Sequence, residues 1–153
     1  MIDMEIERMI VEKMLSGGQT LAVAESCTGG WISKLLTDIP GVSVCFLGGI
    51  VSYTDAVKNQ LLGVSEDVLN QFSAVSEETA RQMAIGVREK LGSTFSLATT
   101  GYAGPEGDPV GLVYIAVCNK EMCDVRKFIF SGDRTQIRSQ ACDAALHMLY
   151  EIL

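Results

Sequence analysis

Residues 25–30 are Glu25, Ser26, Cys27, Thr28, Gly29 and Gly30, and they follow the apolar run "LAVA" and precede a helix-like segment. A carboxylate, two hydroxyls and a thiol therefore sit at one strand-to-helix corner beside two glycines. A helix N-terminus directs free N–H groups at one spot, and glycines let a ligand approach that backbone. Such a corner can bind a phosphate or carboxylate, or stabilise an oxyanion. A hydroxyl held there can act as a nucleophile. Equally, Ser26 or Thr28 can simply cap the helix. The residue types leave all three open.

A second cluster is "SYTDAVK", residues 52–58. Ser52 or Thr54 can cap a short helix, with Tyr53 and Lys58 near its start. Lysines are mostly exposed, so Lys58 needs a reason to be catalytic. That reason is the scarcity of histidine: His147 is the only one. A Ser–His–Asp triad would need this one residue, close to the chain end, to reach the strand ends. If Ser26 is a nucleophile, a lysine of depressed pKa is the natural base, and a tyrosine can relay or orient the proton.

Residues 99–111, "TTGYAGPEGDPVG", carry four glycines and two prolines after a strand. They predict a shaped loop at the C-terminal edge of a sheet, where open α/β folds bind ligands. Gly101 and Gly104 are its candidate substrate-binding residues. In "SGDRTQIR" (131–138), Asp133 caps a helix. Arg134 and Arg138 suit a solvated face, although an arginine in the first turn is also a phosphate partner.

Elements must hold these residues in place. Ile2, Ile6, Met9, Ile10 and Met14 share one helical face, closed by Gly17 and Gly18. The segment 20–24 is a strand, and Trp31, Ile32, Leu35 and Leu36 give helical spacing up to Pro40. The apolar run 44–53 predicts a buried strand, in which Gly48 and Gly49 mark a bulge or close backbone approach. Helices follow over 53–63, 65–71 and from Ser76 to Gly92. Strands follow at 95–101, "LVYIAVC" and "VRKFIF", the last two as a hairpin, and then a C-terminal helix. Strands joined by helices can be parallel, whereas the hairpin is antiparallel. The expected fold is one α/β domain over 1–153. It has three α/β/α layers and a mixed, mostly parallel five-stranded sheet.

The chain has 153 residues, 48% hydrophobic and 20% charged, which suits one globular domain. A net charge of −7 without a basic patch speaks against nucleic acid as partner, and no apolar run is long enough for a membrane span. The acidic, periodic N-terminus is unlike a signal peptide. The five cysteines, Cys27, Cys45, Cys118, Cys123 and Cys142, read as reduced thiols of a cytoplasmic protein. Cys142 and His147 stand about 140° apart on a helix and should not share a metal. They read as a buried thiol and a surface histidine.

Five stretches together resemble one family: "LAVAESCTGGWISKLLTDIPG", "FLGGIVSYTDAVKNQLLGV", "AVSEETARQMAIGVREKLG", "ATTGYAGPEGDPVGLVYIAV" and "FSGDRTQIRSQACDAAL". The resemblance is to the C-terminal domain of the competence/damage-inducible protein A family, and in particular to its stand-alone nicotinamide-nucleotide amidase form. It covers the chain from about residue 20 onward and implies deamidation of nicotinamide mononucleotide to nicotinate mononucleotide and ammonia. It implies no metal or cofactor, a small-molecule nucleotide substrate, and a homodimer or an assembly of dimers. By resemblance Ser26 is the nucleophile, Tyr53 and Lys58 form the basic cluster, and Thr100 belongs to the site. Backbone N–H groups around Thr28, Gly29 and Gly30 would hold the oxyanion. Glu25 and Cys27 would be structural. The loop departs from the family's "GIAGPGGG…KPVG" type: it is shorter, lacks the glycine run and lysine, and carries Glu106 and Asp108. A nucleotide-binding module without turnover is the competing reading.

Overall fold

The computed structural model describes residues 5–153. The elements run α1 (Glu5–Gly17), β1 (Leu21–Glu25), α2 (Trp31–Thr37), a 3-10 turn at Val42–Val44, β2 (Phe46–Val51), α3 (Asp55–Leu62), α4 (Glu66–Phe72) and α5 (Glu77–Leu91). They continue as β3 (Phe95–Gly101), β4 (Leu112–Cys118), β5 (Cys123–Ile129) and α6 (Arg134–Ile152). The sheet order is β2-β1-β3-β4-β5. β1 pairs in parallel with β2 and β3, and β4 pairs antiparallel with both β3 and β5. Four strands thus share one direction and only β4 opposes them, a mixed and mostly parallel sheet as expected.

Alternation along the strands sorts side chains by size onto the two faces. Leu21, Val23, Leu97, Val113, Ile115 and Val117 pack with α1, α2 and α6. Ala22, Ala24, Ala98 and Ala116 meet α3, α4 and α5. Small residues let α5 lie close to the sheet, and a Cβ at Gly86 would stand 1.8 Å from the Leu62 carbonyl oxygen of α3. Helix starts follow their caps: Thr54, Ser65 and Ser76 accept from N–H groups of the first turn, and Asp133 and Gln136 form a reciprocal capping box.

Three expectations change. In α1, Glu7, Ile10, Val11 and Met14 are buried while Ile6 and Met9 are half-buried; Ile2 lies outside the described residues. The run 44–53 does not make a buried strand. β2 is the sheet's outer strand, so its residues alternate between half-buried and exposed. The paired glycines behave as expected, because the register slips between Leu21 and Ala22, leaving Leu47 extra, and a Cβ at Gly49 would meet Ser33 Oγ at 2.4 Å. Cys118 and Cys123 are not free thiols: they face each other across the β4–β5 ladder and form a disulfide. Cys27, Cys45 and Cys142 are buried and free. His147 lies on the exposed side of α6, bonded to the Asp143 carbonyl. Among the described residues, no helix is long and apolar enough to cross a membrane.

Candidate active site

β1, β2 and β3 are parallel neighbours, so their C-terminal ends share one edge of the sheet. That edge gathers Ser26 after β1, Ser52 and Tyr53 after β2, and Thr100 near the end of β3. Lys58 comes one turn into α3 and points back beneath them. Ser26, Tyr53, Lys58, Thr100, Gly104 and Arg134 all line one cavity of about 550 Å³, together with Gly101.

Glu25 settles what the glycine corner does with its helix N-terminus. Its carboxylate is fully buried and accepts from Ile32 N (2.9 Å), Ser33 N (3.0 Å) and Ser33 Oγ (2.7 Å). The free donors of α2 and its positive dipole end are therefore satisfied by the chain's own carboxylate. Neither Ser26 nor Thr28 caps α2, and no external anion is needed there. The Thr28 hydroxyl is instead bonded to Thr99 Oγ1 at 2.8 Å.

Freed from capping, Ser26 is held by its backbone. Its N–H donates to the Thr99 carbonyl (3.2 Å), and its carbonyl accepts from Gly29 N–H (3.1 Å). Its side chain receives the Lys58 ammonium or amine, with Nζ 3.0 Å from Oγ. Lys58 is 1% exposed, and its other two contacts are the carbonyls of Ser52 (2.8 Å) and Tyr53 (3.1 Å). No carboxylate is in salt-bridge contact with it among the described residues. Burial lowers its pKa, and the more distant charge of Asp55 opposes this only in part. The geometry fits either protonation state. Two N–H groups satisfy the two carbonyls, and the third position faces Ser26 as a proton or as a lone pair.

Cys27 also lines the cavity, yet burial pushes its thiol up to about 11, so at neutral pH it is no thiolate nucleophile. Tyr53 is 60% exposed. Its hydroxyl takes a hydrogen bond from Arg134 Nη2 (3.2 Å), while its carbonyl holds Lys58. Arg134 also donates to the Gly104 carbonyl and so ties the α6 start to the 101–111 loop. Thr100 Oγ1 donates to the Ala74 carbonyl at 2.7 Å, which fixes the 74–75 segment as a further wall. In the loop, Glu106 lines the cavity and Asp108 does not; Tyr102 contributes a half-buried ring.

Thr28, Gly29 and Gly30 do not line the cavity. Gly29 N–H is already engaged by Ser26. Gly30, at φ 99, is the residue that turns the chain into α2. Sequence reasoning missed Thr99, which holds Ser26 and Thr28, and Arg138, which reaches the turn from α6. Arg138 had one signal: it follows Arg134 by four residues, so an inward Arg134 brings it to the same side.

The CinA C-terminal domain model matches residues 3–153. A Desulforamulus reducens relative named as a competence-damage inducible protein is 50% identical over 154 residues, covering 99% of this chain and 38% of its own length. A CinA-like protein of Geotalea daltonii is 47% identical over 148 residues, covering 94% of this chain and 36% of its own. The chain thus spans well under half of the curated relatives it matches. Among solved structures, the competence/damage inducible protein CihA from Agrobacterium tumefaciens superposes with a TM-score of 0.95 at 37% identity, covering 97% of this chain and 94% of that one.

Proposed function

The chain belongs to the CinA C-terminal domain family, and from that premise we propose that it is a serine amidohydrolase that converts nicotinamide mononucleotide to nicotinate mononucleotide and ammonia. The observation that carries this reading is the Lys58–Ser26 contact of 3.0 Å, with the remaining Lys58 partners being carbonyls. A neutral lysine there has its lone pair on the Ser26 hydroxyl.

Ser26 Oγ attacks the carboxamide carbon as Lys58 takes its proton. The tetrahedral oxyanion collapses, the C–N bond breaks, and the Lys58 ammonium protonates the departing nitrogen to give ammonia. Water then attacks the ester left on Ser26 as Lys58 accepts its proton, the bond between the acyl carbon and Ser26 Oγ breaks, and Lys58 returns that proton to Oγ, releasing the acid and restoring the serine. Arg134 at the cavity rim is the candidate partner of the substrate phosphate. Gly29 N–H is spoken for by the Ser26 carbonyl, and Thr28 does not line the cavity, so the candidate oxyanion donor is the N–H of Cys27, next to the nucleophile.

Incubation of the chain with nicotinamide mononucleotide, following ammonia and the acid product, tests this directly. Ser26→Ala should lose about 10³-fold or more in turnover while still folding and binding. Thermal stabilisation by the nucleotide with no ammonia released would instead favour the binding-module reading. The family premise also carries a homodimer or assembly of dimers, which sedimentation equilibrium tests.

A further inference from the structure

Arg138 lies one helical turn beyond Arg134 and is partly buried beneath the nucleophile turn. Its Nε–H donates to the Cys27 carbonyl (2.9 Å) and its Nη2–H to the Thr28 carbonyl (3.1 Å). Its guanidinium also lies over the Trp31 ring, 5.6 Å from the centroid. Among the described residues it makes no ion pair with a carboxylate, so its charge is directed at two peptide oxygens.

From this geometry we infer that Arg138 is a positioning residue for Ser26, acting through the 27–29 peptides; the inference rests on the serine-nucleophile reading above. A trans peptide sets its C=O and N–H in opposite directions. Holding the Cys27 carbonyl turns the Thr28 N–H away from the guanidinium. Holding the Thr28 carbonyl does the same for Gly29 N–H, which donates to the Ser26 carbonyl at 3.1 Å. One chain of contacts therefore runs from the α6 guanidinium through a single peptide unit to the nucleophile's own backbone. The cation polarises both peptides and strengthens their N–H groups as donors. Its charge reaches the site, since it is among the groups that counter the upward shift of Cys27.

Gly29 is explained by the same contact. Its φ is 60°, and a Cβ there would stand 2.9 Å from Arg138 Nη2. The glycine admits the arginine to the turn. A two-donor edge that fits two successive carbonyls is a property of guanidinium that an ammonium lacks.

The test compares Arg138→Ala and Arg138→Lys with the parent by the rate at which a fluorophosphonate labels Ser26, a readout independent of any amide substrate. Arg138→Ala should label about 10²-fold more slowly, the scale of a misplaced reacting group. Millimolar methylguanidinium should restore part of that rate, and Arg138→Lys should fall in between. Where the parent turns over an amide, kcat should drop with KM within about threefold. Labelling of Arg138→Ala at the parent rate overturns the inference. So does slowed labelling that methylguanidinium leaves unchanged, because that marks a merely structural loss. If Arg138→Ala fails to fold, Arg138→Lys carries the test, and parent-like labelling there overturns it. An unlabelled parent refutes the serine-nucleophile reading beneath. A labelled parent with no amidase activity refutes the substrate and leaves the role of Arg138 standing.

Discussion

Replacing Lys58 separates general-base catalysis from a fixed positive charge. The ε-nitrogen has three acceptors within 3.1 Å, and only one of them, Ser26 Oγ, carries a transferable proton. Lys58→Met removes the lone pair. Lys58→Arg keeps a charge but has no accessible neutral form, because the guanidinium pKa exceeds about 12. Loss of a positioned base costs about 10²- to 10⁴-fold, or roughly 3–5 kcal/mol of barrier. Both variants should fall in that range and within about threefold of each other. The parent's kcat/KM should rise with pH through a midpoint below the ordinary lysine value of about 10.4, because burial lowers the Lys58 pKa. The variants should show no such rise.

Stability provides an independent check with a definite sign. Between the lowered folded pKa and the ordinary lysine value, the unfolded chain binds the proton and the folded chain does not, so stability rises with pH there. The stability of the parent relative to Lys58→Met should therefore climb across that window, by at most about 1.4 kcal/mol per pH unit, and level off on either side. Urea unfolding at a series of pH values reads this slope, which the constant cost of the two orphaned carbonyls does not alter. An arginine variant within tenfold of parental activity would refute the base assignment. So would a parental midpoint at or above about 10.4.

Other outcomes follow from single contacts. Glu25→Gln puts an amide N–H against donors that now face a carboxylate, forfeiting one or two charge-assisted bonds. It should cost about 3 kcal/mol and lower Tm by roughly 6–12 °C in thermal unfolding. Glu106 faces the cavity and Asp108 does not. Glu106→Gln should therefore improve the affinity for the nucleotide by about fivefold, the scale of removing roughly 1 kcal/mol of like-charge repulsion, and leave its dephosphorylated riboside unchanged. Asp108→Asn should change neither, and equal gains from the two substitutions in competition binding would show that the loop is arranged differently.

What the sequence determined about this protein is what short-range physics controls. Helix starts at Thr54, Ser65, Ser76 and Asp133 follow from side chains that satisfy N–H groups three residues away. The strands 95–101 and 112–118 follow from local apolar patterning, and the close approach of Gly49 to Ser33 from a missing side chain. The position of Ser26 at a strand-to-helix corner was legible for the same reason. The tertiary structure alone decided which group does what there. An apolar strand does not reveal whether it is central, so β2 reads as buried until the sheet order places it outermost. A lysine near a helix start reads as exposed until carbonyls from the β2 end close over it. By residue type Ser26 and Thr28 are both good caps for α2, and Glu25 is not a favoured one. The fold gives that role to Glu25 and leaves Ser26 facing Lys58, 32 residues away. Arg138, 110 and 111 residues from the carbonyls it holds, was beyond any local pattern. Capping and periodicity are set within one or two helical turns of chain. The pKa of Lys58 and the orientation of the 26–30 turn depend on what is packed around them, and that is fixed only when distant segments meet.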